Sequence, residues 1–168
     1  MSSSTLLTSL YEQKAWINRE LFAELSKVDA LLHPDGRHLA IRILNHIHTV
    51  DRIFAGHLRG EPHGFTDTNT EATPTLDELG ASVERVDGWY LDYVRTLPPE
   101  QFDEAVHFRF TDGDAGRMSR EEILAHVISH GAYHRGAVGM LMRQADVPPP
   151  RDLLTRYLHI HEPERREV

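Results

Sequence analysis

The chain contains no cysteine. That excludes a disulfide framework, a Cys-ligated zinc or iron–sulfur site, and a thiol nucleophile of the protein's own. It also lacks any run of about 18 consecutive apolar residues, the length needed to cross a bilayer as a helix. The opening Met1-Ser2-Ser3-Ser4-Thr5-Leu6-Leu7 has no cationic region and no long apolar core of the secretory kind. The expectation is a soluble, cytoplasmic protein with no membrane partner. No basic block occurs: 18 Lys+Arg stand against 26 Asp+Glu, a formal net charge of −8. Such a chain is a poor candidate for binding nucleic acid through its phosphates. There is no internal repeat, no His-Glu-x-x-His run of the zincin kind, and no pair of Glu-x-x-His motifs of the ferritin-like di-iron kind.

Histidine, by contrast, is abundant: 12 in 168 residues. Full protonation of that many imidazoles outweighs the net charge of −8, so the charge balance swings strongly as pH falls through the histidine range. A chain of this length suits one domain, residues 1–168, which buries roughly two-thirds of its unfolded surface without a covalent staple.

Four segments carry apolar residues at three- and four-residue steps and are expected to be helices: residues 4–27, 37–59, 75–97 and 119–145. Thr75, and Ser119 with Glu122 three residues on, are N-terminal capping signals. His33-Pro34-Asp35-Gly36, Gly60 to Gly64 and Pro98-Pro99 interrupt the pattern, and a polar stretch leads from Gly64 to Pro74. Ala105 to Phe110 alternates with period two and is followed by Thr111-Asp112-Gly113-Asp114, which predicts a small hairpin or an extended excursion. Pro148-Pro149-Pro150 forms a rigid corner before a short helix over 151–159, and the charged tail 162–168 is expected to fray. The fold class is therefore all-α, a four-helix bundle with one long crossover.

The fourth helix contains His126, His130 and His134 at four-residue steps. Residues four apart on a helix share a face, one turn apart, so two imidazoles converge on one point. At roughly 100° per residue, His134 lies about 40–50° from the centre of the apolar stripe, His130 about 80–90° and His126 about 120–130°. In the second helix His46 and His57 both fall within about 60° of the stripe, and His48, about 140° away, is expected to face solvent. Either His46 or His57 is thus placed to supply a third imidazole. Two neutral imidazoles brought that close gain little unless they share an ion, and two imidazolium groups repel. Three imidazoles around one divalent cation with an open position make a catalytic rather than a closed structural arrangement. Zinc suits these ligands best, and nickel also suits imidazole.

The run Ala125-His126-Val127-Ile128-Ser129-His130-Gly131-Ala132-Tyr133-His134-Arg135-Gly136 resembles the last-helix signature of the DinB/YfiT-like superfamily. Asn45-His46-Ile47-His48-Thr49-Val50-Asp51-Arg52-Ile53-Phe54 resembles its second-helix signature, a His followed five residues on by an acid and then an aromatic. Trp16, Asn18 and the Pro-rich corner before Asp152 also sit where that family has such residues, so the resemblance spans nearly the whole chain. It implies a four-helix bundle holding a divalent metal on His46, His130 and His134, with His46 chosen over His57. His126 reads as a supporting or solvated residue. Where the family often has Gln after Arg-Gly, this chain has Ala137.

The resemblance implies two kinds of chemistry on a small-molecule substrate, one using a low-molecular-weight thiol cofactor and the other using water. In both the cation acidifies the nucleophile. Arg135 is placed to contact a substrate carboxylate, or else is an ordinary surface arginine. Asp51 either orients a ligand imidazole or forms a surface ion pair, and Tyr133 and Trp16 either line the pocket or pack in the core. A non-catalytic metal-binding or stress-response module is the competing reading. Leu6, Leu10 and Ile17 read as exposed on the first helix, in line with a homodimer.

Overall fold

The structure, a computed structural model, describes residues 3–166. It is mostly helical with one small sheet. Helix α1 spans Ser3–Leu25, α2 Pro34–Arg59, α3 Leu76–Thr96, α4 Arg120–Gln144 and α5 Leu154–His161. Strands β1 (Ala105–Arg109) and β2 (Ala115–Ser119) form an antiparallel hairpin, and short 3₁₀ turns occupy Pro99–Gln101 and Pro163–Arg166. No helix among the described residues is long and apolar enough to cross a membrane.

Local chemistry explains the boundaries. Thr75 and Ser119 each close a reciprocal capping box, with Glu78 and Glu122 respectively, satisfying backbone N–H groups that otherwise have no partner at a helix start. Helix α2 begins at Pro34, earlier than the sequence pattern suggests, because proline's missing N–H is not needed in the first turn. It ends at Gly60, whose φ of +69° is the left-handed conformation that glycine adopts freely, with its N–H returning to Gly56 and His57. The turn signal at residues 111–114 closes the hairpin, with Gly113 at a φ of +95°. The last helix begins and ends slightly later than expected. The tail carries a 3₁₀ turn where fraying is expected, and residues 167–168 lie outside the described part.

The core divides into two apolar clusters. One contains Tyr11, Phe54, Tyr90, Leu124 and Val127, with Phe102 and Phe108 from the segment around the hairpin. The other contains Leu21, Leu25, Ile41, Leu44, Leu79, Val83, Val138 and Met142. Along the chain α1 and α4 pass from the first cluster to the second, and α2 and α3 from the second to the first. Because α2 and α3 run the same way, the segment between them must return along the length of the molecule. It does so over α2, where Arg42 donates to the Thr70 carbonyl at 2.7 Å and Asn45 donates to the Thr70 hydroxyl at 2.5 Å. The most extensive helix pairings are α2 on α4 and α1 on α3.

Between the clusters each long helix contributes buried polar residues: Lys14 and Asn18 from α1, His48 and Asp51 from α2, Asp87 from α3 and Arg135 from α4. Lys14 bonds Asp51 at 2.8 Å and also Asp87, and Asn18 donates to Asp87 at 2.8 Å. Burial alone lowers an ammonium's pKa, but the two carboxylates outweigh it and hold Lys14 above its ordinary value. Burial pushes the Asp51 carboxyl up to about 6 against the pull of Lys14.

Four sequence expectations are corrected here. His48 is buried, with Nε2 2.9 Å from the Ser82 hydroxyl. Helix α2 is covered on nearly every side, so distance from its apolar stripe does not mean exposure. Ile17 is buried, while Leu6 is exposed and Leu10 half-buried. Asp51 meets Lys14 in the interior and pairs neither at the surface nor with a ligand histidine. Arg135 is buried, with Nε donating to Asp152 at 2.7 Å, which excludes the surface reading.

Candidate metal centre

Helix periodicity sets His130 and His134 one turn apart on α4, with ring centres 4.5 Å apart. The packing of α2 on α4 brings His46 between them, its ring centre 5.1 Å from that of His130 and 4.8 Å from that of His134. Each of the three residues offers a nitrogen, and the three nitrogens lie within 4.8 Å of one another. His46 Nε2 and His130 Nε2 are 3.1 Å apart.

The hydrogen bonds define which atoms face the centre. His46 Nδ1 lies 3.0 Å from the Thr68 carbonyl oxygen, which can only accept. The proton of a neutral His46 therefore sits on Nδ1, and Nε2 turns its lone pair toward His130. This is the arrangement expected of a ligand histidine, whose other ring nitrogen is fixed by a carbonyl or carboxylate. His130 Nδ1 is buried without a hydrogen-bond partner among the described residues. Burial, with the neighbouring imidazoles of His134, His46 and His126, lowers the pKa of His130 to about 4. Burial and then His46 also lower that of His134. Near neutral pH both are uncharged, the form in which imidazole binds a metal. On donor type and spacing, these three residues fit a divalent cation.

His57 and His126 do not join the three nitrogens. With His46 and His130 they line an adjacent pocket of about 190 Å³, whose walls include Val50, Ile53, Phe54, Thr68, Phe110 and Thr111. Trp16 packs against Tyr157 and His161 of α5, and Tyr133 is exposed with its ring edge on His134. Arg135 bonds Asp152 and lines a separate cavity beside α4. A Cβ on Gly131 would stand 2.9 Å from Arg135 Nη1, so glycine here leaves room for the guanidinium. Asp152, which accepts from Arg135, also accepts from Gln13, joining α4 and α1 to the segment before α5.

Sequence reasoning missed Thr68 and the buried role of Lys14. Thr68 acts through its backbone carbonyl, which leaves no trace in residue type. Lys14 and Asn18 did leave a signal: they complete the stripe Leu7, Tyr11, Ile17, Leu21 and Leu25 at helical spacing, marking polar residues in a core position.

The family model for the DinB family matches residues 1–167, and the chain belongs to that family. It is 23% identical over 146 residues to Protein DinB of Bacillus subtilis (strain 168), covering 81% of this chain and 84% of that protein. No solved structure matches.

Proposed function

We propose that His46, His130 and His134 hold one divalent cation, zinc by ligand type with nickel as the alternative, and that this centre serves a reaction on a small-molecule substrate. The frame is a four-helix bundle in which the segment after α2 is the long crossover. When bound, the cation acidifies a low-molecular-weight thiol or a water molecule and makes it nucleophilic near neutral pH. The chain's own residues prepare the centre: the Thr68 carbonyl fixes the His46 tautomer, and burial keeps His130 uncharged. The chain has no cysteine, so a thiol must come from a cofactor. Arg135, buried on Asp152, belongs to that frame. The lack of cysteine suits a reducing compartment, and we place the protein in the cytoplasm.

One observation carries this reading: three nitrogens from two helices lie within 4.8 Å of one another. Elemental analysis of the purified protein beside His134→Ala tests it. About one divalent ion per chain is expected in the parent and far less in the variant, and equal content overturns the assignment. Assays with bacterial thiols, or water alone, and a panel of electrophiles, with and without chelator, then separate thiol from water. Bound metal with no turnover under any of these conditions identifies a non-catalytic metal-binding module.

A further inference from the structure

The pocket beside the three histidines carries information about what it accepts. None of its lining residues is Lys, Arg, Asp or Glu, and its walls are almost wholly apolar, with Val50, Ile53, Phe54 and Phe110 prominent. Cavities elsewhere are different. The one between α1 and α3 is lined by Arg19, Glu84 and Asp87, and the one beside α4 by Arg135, Arg143 and Asp152. Away from the three histidines, where a bound cation would itself attract an anion, a charged ligand group leaving water would find no counter-ion among the lining side chains. The volume, about 190 Å³, is somewhat above the roughly 150 Å³ that accommodates benzene.

The pocket is polar only at places. His46 and His130 bound one end. His57, eleven residues further along α2, is about 16 Å away by helical rise and bounds the other. The hairpin holds His57 in place: its ring stacks on Phe108 of β1 at 4.6 Å between centres, and His63 meets it edge-on at 5.0 Å. Its Nε2 is buried with no hydrogen-bond partner among the described residues. A buried polar atom of this kind is satisfied when a ligand supplies a hydroxyl or carbonyl oxygen.

We infer that this pocket binds a small uncharged apolar molecule, about the size of a substituted benzene ring, with one oxygen hydrogen-bonded to His57 at the end remote from the three histidines. His57 is then a positioning residue. As a statement about substrate this rests on the metal-centre reading above, but the binding itself is tested separately.

Fluorine NMR titrations with 4-fluorobenzyl alcohol, fluorobenzene and 4-fluorobenzoate test the inference on the full chain, with metal content measured on the same samples. With metal removed by chelator, the two neutral probes are expected to bind, and the benzoate at least about tenfold more weakly. Thr111→Trp, which adds bulk at a lining position in the hairpin turn, is expected to weaken both neutral probes about tenfold at unchanged metal content and circular dichroism. His57→Phe keeps the ring stacking but removes the polar atom. It is expected to weaken the alcohol about tenfold and fluorobenzene less than about twofold, with His57→Gln restoring the alcohol. Benzoate binding the metal-free protein as well as the alcohol, or neutral probes unaffected by Thr111→Trp, overturns the inference. Equal weakening of alcohol and fluorobenzene in His57→Phe removes the role of His57. Binding sensitive to Thr111→Trp in a protein that takes up no metal keeps the pocket and overturns the metal centre, and metal uptake without such binding does the reverse.

Discussion

Lys14 Nζ lies 2.8 Å from Asp51 inside the protein, and the same ammonium holds Asp87. Lys14 is completely buried. Removing it leaves two buried carboxylates without their counter-ion, so Lys14→Met is expected to cost about 3–5 kcal/mol in urea denaturation. Adding Asp51→Asn and Asp87→Asn to that variant should recover much of the loss, since neutral groups of similar shape need no counter-ion. A single variant as stable as the parent would show that the ion pairs do not hold α1, α2 and α3 together.

The loop after α2 sets His46 through the Thr68 carbonyl, and Thr70 ties the same loop to Asn45. Thr70→Val removes the tie without touching a proposed ligand. Metal affinity, measured by competition with a chromophoric chelator, should fall about 10-fold or more, the usual cost of losing the support of a ligand histidine. Thermal stability of the metal-free protein should change little. Unchanged affinity would separate the loop from the centre.

Burial, followed by the nearby cations Arg52 and Lys14, lowers the His48 pKa to about 4 from 6.5. Because the folded value is the lower one, the stability this residue contributes is complete above pH 6.5 and is lost as pH falls through about 4. Asp51, raised to about 6 mainly by burial, runs the opposite way: its contribution is present below the ordinary carboxylate range and lost as pH rises through about 6. The stability difference between wild type and His48→Gln cancels that second contribution. It should shrink by about 3 kcal/mol between pH 7 and pH 4, and a difference independent of pH contradicts the buried, neutral His48.

Gly116 faces Phe108 across the hairpin, and a Cβ on it would come within 2.5 Å of the Phe108 ring. Gly116→Ala must displace the ring that stacks on His57. A loss of about 1–3 kcal/mol is expected, together with shifted NMR signals from His57 and Phe54, which also meets Phe108 edge-on. Unshifted His57 signals would mean that the hairpin does not hold that imidazole.

Several parts of this protein could be read before any coordinates. The capping residues Thr75 and Ser119 mark helix starts because their chemistry is local, and His130 and His134 meet because four residues on a helix close one turn. The choice between His46 and His57 was not legible in this way. Both lie near the apolar stripe of α2, and only the height at which α2 packs on α4 decides that His46 meets the pair while His57 closes the far end of the pocket. His48 misled for a related reason: a helical wheel measures direction, whereas burial depends on what covers that direction.

The order of residues alone determined the four long helices, the hairpin turn and the paired imidazoles of α4, since all of these rest on interactions between near neighbours in the chain. Tertiary structure decided the rest: the third imidazole, the carbonyl that orients it, the ionic layer around Lys14 and the uncharged pocket below the hairpin. Each of these brings together atoms from distant segments. Their meeting is set by helix register and by the path of the returning loop, which no local pattern of residue types records.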